Sequence, residues 1–219
     1  MSFLLFLATV AVNYAVGMKS SEVSNAFHLY VTPPGMFFTI WAVIYTLMFV
    51  VNLINLIKNE WKLPVHIHLA ITNILLIVWI CVFVNGSEAA VYLCAVILIA
   101  CVLSGLKLWI ELGKREEFNW FTYFSRNVYA FYLGWIIAAA NLNVGIVLVY
   151  WWKVSLKAQL VIFWIMAPLC AIGVTILNAK REGKRGLLSC ASLWLSAAWA
   201  FVGAAITSNS CLNGTGELC

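Results

Sequence analysis

Seven apolar runs separated by short polar gaps leave this chain few ways to fold. They cover residues 3–17, 36–57, 66–84, 89–112, 123–150, 158–178 and 186–206. A bilayer's hydrocarbon core takes about 20 helical residues to cross, and all the runs except the short first one reach or approach that length. Backbone groups in lipid find no water to bond, so runs of this kind are read as helices, whose hydrogen bonds are internal. The expected fold is all-α: a polytopic membrane helix bundle of about seven transmembrane helices. The first run has the size of a signal-peptide core. It lacks a basic start and carries Asn13 near its end, and is read as retained.

With 64% hydrophobic and 10% charged residues, the composition excludes an ordinary soluble domain. Asp is absent, and the eight acidic residues are all Glu, placed mainly in or beside the polar gaps. Proton pumps and ion-coupled carriers rely on carboxylates at membrane depth, so the pattern argues against them. The net charge of +5 does not point to nucleic acid, because the basic residues do not gather with exposed aromatics on a soluble face. They mark topology instead. Lys58, Lys62, Lys107, Lys114, Arg115, Arg126, Lys180, Arg181, Lys184 and Arg185 fall on one side of an alternating seven-helix thread, against Lys19, Lys153 and Lys157 on the other. Since Lys and Arg prefer the cytoplasmic or matrix side, the N-terminus is expected inside and the C-terminus outside. Membrane lipids, including anionic headgroups near 180–185, are the expected surroundings.

The outer side would then carry two glycosylation candidates, Asn85 and Asn213, and a disulfide candidate, Cys211 with Cys219. These features favour a plasma or endomembrane location, while a mitochondrial inner membrane satisfies the charge asymmetry equally. Cys81, Cys94, Cys101, Cys170 and Cys190 lie within apolar runs as packing residues. Trp61, Trp109, Trp120, Trp151 and Trp152 sit near span ends and read as an aromatic belt. Arg126 and Lys107 read as snorkelling cations, Lys107 with Glu111 one turn away.

Two stripes stand out. Successive residues on a helix turn by roughly 100°, so Tyr132, Trp135, Ala139 and Asn143 share one face of the fifth run. Trp41, Tyr45, Met48, Asn52 and Asn55 share one face of the second. Aromatic rings and amides aligned in an apolar rod must be covered by protein or ligand, and helix packing alone accounts for any one of them taken singly. The third run contributes Thr72, Asn73 and Trp79, although Asn73 and Trp79 are not on one face. Pro168 is expected to kink the sixth helix. Ser189, Ser192, Ser196 and Gly203 form a small-residue seam on the seventh, suited to close helix packing. His28, His66 and His68 lack the Cys or carboxylate neighbours of a metal site, and no nucleophile with a base can be assembled. The chain is therefore read as non-enzymatic and without a metal.

The stretch 13–45, NYAVGMKSSEVSNAFHLYVTPPGMFFTIWAVIY, and the stretch 132–143, YLGWIIAAANLN, resemble the tryptophan-rich sensory proteins related to the translocator protein (TspO/MBR) family. The resemblance is to the longer, seven-helix members. It implies a translocator-like five-helix bundle at 1–152, two additional transmembrane helices at 153–206, and a polar tail at 207–219. In the short members, aromatics of the second and last helices line a ligand pocket beneath the loop that follows the first helix. Carried over by motif, the pocket residues are Trp41, Tyr45, Tyr132, Trp135, Ala139 and Asn143, with Asn73 from the third helix. Met36 stands where the short proteins usually place Trp, and Asn141 is an extra amide before the Leu-Asn pair. The implied ligand is apolar and planar, a porphyrin, haem or sterol, and a homodimer is implied as one partner arrangement. Two other readings stand beside ligand binding: an accessory subunit held among partner subunits of a large membrane complex, and a small-molecule transporter.

Overall fold

The computed structural model describes residues 2–17, 19–114, 119–183, 187 and 189–214, and every regular element within them is helical. The elements are α1 (Ser2–Gly17), α2 (Ser20–Ala26), a 3-10 turn (Gly35–Thr39), α3 (Ile40–Lys58), α4 (Leu63–Phe83) and α5 (Glu88–Gly113). They continue with α6 (Trp120–Ile146), a π-helical turn (Val147–Trp151), α7 (Leu156–Glu182) and α8 (Ala191–Leu212). Six of these helices are long and apolar enough to cross a membrane, and a seventh span results if α1 and α2, bent by 58°, count as one. The protein is a polytopic membrane helix bundle.

Polar residues set the helix ends. Ser87, Asn119 and Ser155 cap α5, α6 and α7, each side chain accepting a hydrogen bond from a backbone N–H three residues on. Pro64 occupies the first turn of α4, where no donor is needed. At the end of α3, Asn59 adopts a left-handed conformation, φ 49°, and its N–H bonds the Asn55 carbonyl. α7 is continuous through Pro168.

The bundle is arranged around α6, which packs against α3, α5, α7 and α8, while α1, α4 and α5 extend the assembly on one side. In α6 and its π turn, 67% of the most apolar stretch is buried, against 22% for α7. Small residues allow the closest approach. A Cβ on Gly134 would overlap the carbonyl of Leu193, so α8 lies directly on the α6 backbone at that point. The small-residue seam packs helices closely: Ser192 of α8 donates to Asn127 of α6, Ser189 just before α8 accepts from Asn178 of α7, and Ser196 is buried.

Of the described basic residues, Lys58, Lys62, Lys107, Lys114, Arg126, Lys180 and Arg181 lie at one end of the bundle or close to it, where Asn119 meets Glu60, Ser2 meets His66, and Lys58 sits over the Trp120 ring, while Lys19, Lys153 and Lys157 lie towards the other. Arg115, Lys184 and Arg185 lie outside the described residues. Three expectations at this end are corrected. Arg126 does not snorkel: it is 1% exposed, held by both carboxylate oxygens of Glu182 and by Asn178, with its guanidinium 5.5 Å from the Trp109 ring centre. Glu111 pairs with Lys114 at 2.5 Å rather than with Lys107. Trp61 and Trp109 are buried packing residues, Trp61 stacking on Phe121 at 6.1 Å, whereas Trp120, Trp151 and Trp152 are exposed. Sequence position placed these indoles near span ends but could not tell whether they turn inward or outward.

The opposite end is closed by residues 27–34. Their alternation brings Phe27, Leu29, Val31 and Pro33 inward. Four hydrogen bonds hold this segment and the turn after it: Tyr150 to the His28 carbonyl, Ser208 to Tyr30, Thr207 to Thr32 and Trp199 to Phe37. Three of the four donors belong to α8. Its last two turns fall in the stretch expected as a tail from 207; the helix persists to Leu212 because Thr207 and Ser208 are buried against this segment.

Candidate functional site

Four aromatic side chains from three helices meet on the flank of the bundle. Trp41 and Tyr45 of α3 stack on each other, with ring centres 5.2 Å apart and planes at 23°. The i, i+4 spacing puts them on consecutive turns of one face. Trp79 of α4 stacks against the Trp41 ring at 6.4 Å and 30°, and Phe83 continues the stack at 5.7 Å. Trp135 of α6 presents itself edge-on, 6.2 Å from Trp41 at 85°, and Phe38 of the 3-10 turn meets Trp135 at 5.8 Å and 88°. The result is a column of near-parallel rings with one perpendicular wall, the two geometries aromatic pairs prefer.

The polar tips of this cluster have no partners. Tyr45 Oη, Trp79 Nε1 and Trp135 Nε1 are buried without a hydrogen bond, as are Tyr132 Oη and Asn143 Oδ1 on the same stripe of α6. Leaving such a group unsatisfied away from water costs about 1–3 kcal/mol each. The groups are neutral donors and acceptors, suited to orienting a ligand rather than to transferring protons. Trp41 is half-buried and Phe38 is exposed, so the cluster is reached from the flank of the bundle.

Of the residues singled out in the sequence as pocket residues, Tyr45 and Trp135 each make ring contact with Trp41. Tyr132 lies nearly one turn away towards the basic end, its ring 3.4 Å from the position of a Cβ on Gly105. Ala139 and Asn143 follow Trp135 along the stripe, the Asn143 amide donating to the Ala139 carbonyl at 3.0 Å. Asn73 is fully buried, but its partners lie on α4 and α1: its amide donates to Leu69 and its backbone carbonyl accepts from Thr9. Trp79, Phe38 and Phe83 complete the cluster; Trp79 stands out in the third run of the sequence, but none of the three is among the expected pocket residues. Trp79 shares no face with Asn73, and single aromatics in an apolar run carry no periodic signal.

Residues 1–213 match the family described as TSPO-like protein. The chain belongs to the TSPO-like protein family. No curated protein and no solved structure matches it. The match runs through α7 and α8 of this TSPO-like protein.

Around the cluster, His28 of the closing segment has its Nε2 4.0 Å from Cys211 Sγ, and partial burial lowers its pKa. Cys211 is disulfide-bonded, and Cys219 lies outside the described residues. Asn85 and Asn213 are both exposed, Asn85 in the turn between α4 and α5 and Asn213 at the end of α8; Thr215, which completes the second acceptor triplet, lies outside the described residues. Among the described residues no group of His, Cys or acidic side chains is placed to hold a metal ion.

Proposed function

We propose that this TSPO-like membrane protein binds an apolar planar ligand of tetrapyrrole or sterol type at the aromatic cluster, and that it acts by binding rather than by catalysis. One observation carries the reading: stacked and perpendicular rings from α3, α4 and α6 converge where Tyr45, Trp79 and Trp135 have buried polar tips without partners. A flat molecule aligned with Trp41 takes the place of one stacked neighbour, with the Trp135 edge against its rim. Its own polar groups then meet the indole N–H and phenol groups, removing a desolvation cost that the ligand-free protein carries. Tyr132 and Asn143 extend the polar stripe along α6, and Ala139 between them leaves room for an occupant.

The experiment is a titration of purified protein with protoporphyrin and, separately, with a fluorescent sterol. Trp135→Ala is expected to weaken binding about tenfold or more, equivalent to about 1.4 kcal/mol. Trp151→Ala, which removes an exposed indole, leaves the affinity within twofold. Equal losses from the two variants would remove the assignment of the cluster as the binding site.

A further inference from the structure

A second site lies on the other side of α6. Between α5, α6 and α7 is a cavity of about 270 Å³ whose lining includes Ile99, Leu103, Val144, Phe163 and Met166. Ile99, Leu103 and Met166 are also exposed on the outer surface of the bundle, so the cavity opens sideways onto the apolar belt that faces lipid. Its walls carry no charged side chain and two amides. The Asn141 amide nitrogen is already engaged, donating to the Ile137 carbonyl at 2.8 Å. Gln159 is different: it is 1% exposed, and its Oε1 has no hydrogen-bond partner.

The fold makes room for this amide. A Cβ on Gly145 would lie 2.5 Å from Gln159 Nε2 and 3.2 Å from its Cδ, so only glycine at that place in α6 lets the side chain lie where it does. Gln is costly within a span and loses side-chain entropy on burial. An apolar residue would fill the same space without leaving an acceptor unsatisfied.

We infer that this cavity binds a membrane lipid carrying one free, uncharged hydroxyl, which hydrogen-bonds the Gln159 amide while its apolar body occupies the space between α5 and α7. Three observations fix that chemistry. The sideways opening makes the bilayer the source of the occupant. The uncharged wall disfavours a phosphate or ammonium headgroup, whose burial without a partner is prohibitive. A hydroxyl can both donate and accept, so it serves a lone amide as an isolated carbonyl or ether cannot. The volume lies just below the roughly 300–1,000 Å³ of small-molecule pockets, so part of the lipid is enclosed and the remainder stays in the bilayer. An acylglycerol and a sterol both present this chemistry. The site is separate from the aromatic cluster and does not depend on it.

The test uses the full chain in nanodiscs doped with photoreactive lipids: a diacylglycerol with a diazirine in its acyl chain, the matching phosphatidylcholine, and a diazirine sterol. Crosslinks are mapped by peptide mass spectrometry. The diacylglycerol probe is expected to label residues 137–148 and 159–170 at least fivefold more than the phosphatidylcholine probe. Gln159→Leu should bring it down to the phosphatidylcholine level, while Trp135→Ala leaves it unchanged. Equal labelling of the unaltered protein by both glycerolipid probes, with the sterol probe no higher, would overturn the inference without recourse to any variant, as would labelling indifferent to Gln159→Leu. Gln159-dependent labelling by the sterol probe in place of the diacylglycerol supports the site and assigns its hydroxyl to a sterol.

Discussion

The two halves of α6 hold their neighbours by different means. Towards the basic end, polar side chains join helices in pairs: Arg126 with Glu182 and Asn178, Asn127 with Ser192, and Tyr129 with Asn52. Towards the closed end, Tyr132 and Trp135 pack by ring and leave their polar tips bare, in company with Tyr45 and Trp79. The basic end has leftovers too, among them Ser125 Oγ and Arg126 Nε, but the Arg126 guanidinium still makes three other hydrogen bonds. In lipid, apolar burial cannot drive one helix onto another, so packing and hydrogen bonds decide. A helix that spends its hydrogen bonds at one end and withholds them at the other has a fixed half and an available half.

The largest effect should come from breaking the fixed half. Glu182→Ala leaves Arg126 buried and without its counter-ion, which costs about 3–5 kcal/mol where a buried pair loses one partner. The expected result is a steep fall in thermal stability in detergent. A stable Glu182→Ala protein would show that the ion pair does not anchor α7, and the contrast between the halves would lose its basis. Next in size is Gly134→Leu. Even a methyl there meets the Leu193 backbone, so α8 must move, at about 1–3 kcal/mol or more. Because α8 also supplies Trp199, Thr207 and Ser208 to the closing segment, hydrogen exchange at residues 28–37 should rise together with the loss of stability.

Much of this was legible in the sequence. The first six apolar runs lie within a few residues of their helices, because length and hydropathy respond directly to the bilayer, while the seventh stops short of the end of α8. The stripes on α3 and α6 bring Trp41, Tyr45 and Trp135 together, since a 3.6-residue period selects a face whatever the neighbour is. Period alone does not identify that neighbour. Trp79 joins the cluster from a helix without a stripe, and Trp61 and Trp109 turn inward although their positions suit a belt. Nor could charge placement show that Arg126 and Glu182, 56 residues apart, would meet. Gly134 lay within the recognised stretch, yet only the contact with Leu193 shows what its missing side chain permits.

A pair of small substitutions sharpens the comparison further. Tyr129→Phe removes one of the two acceptors of the Asn52 amide, the phenol oxygen at 3.0 Å, leaving the Met48 carbonyl, and should cost about 0.5–1.5 kcal/mol. Tyr45→Phe removes a hydroxyl that has no partner, so the ligand-free protein should be unchanged or slightly more stable. With ligand present the order reverses: Tyr45→Phe weakens binding and Tyr129→Phe does not. Equal destabilisation by both in the ligand-free protein would mean that the Tyr45 hydroxyl is satisfied, and the available half would be no more available than the other.

The smallest effect concerns the segment that covers the available half. Burial lowers the pKa of His28 below its ordinary 6.5, so the folded protein favours the neutral imidazole. The unfolded chain therefore takes up its proton first as pH falls. Stability from this group is fully present above 6.5 and declines as pH drops through the window between 6.5 and the lowered folded value. The segment should show it locally. Hydrogen exchange at residues 28–34 should quicken between pH 7 and pH 5 relative to α6, after correction for intrinsic exchange. In His28→Gln that pH dependence should disappear. A segment whose protection is the same at both pH values would show that its hold on α8 and Tyr150 outweighs the charge on His28, and that the cover over the rings is as fixed as the Arg126 end.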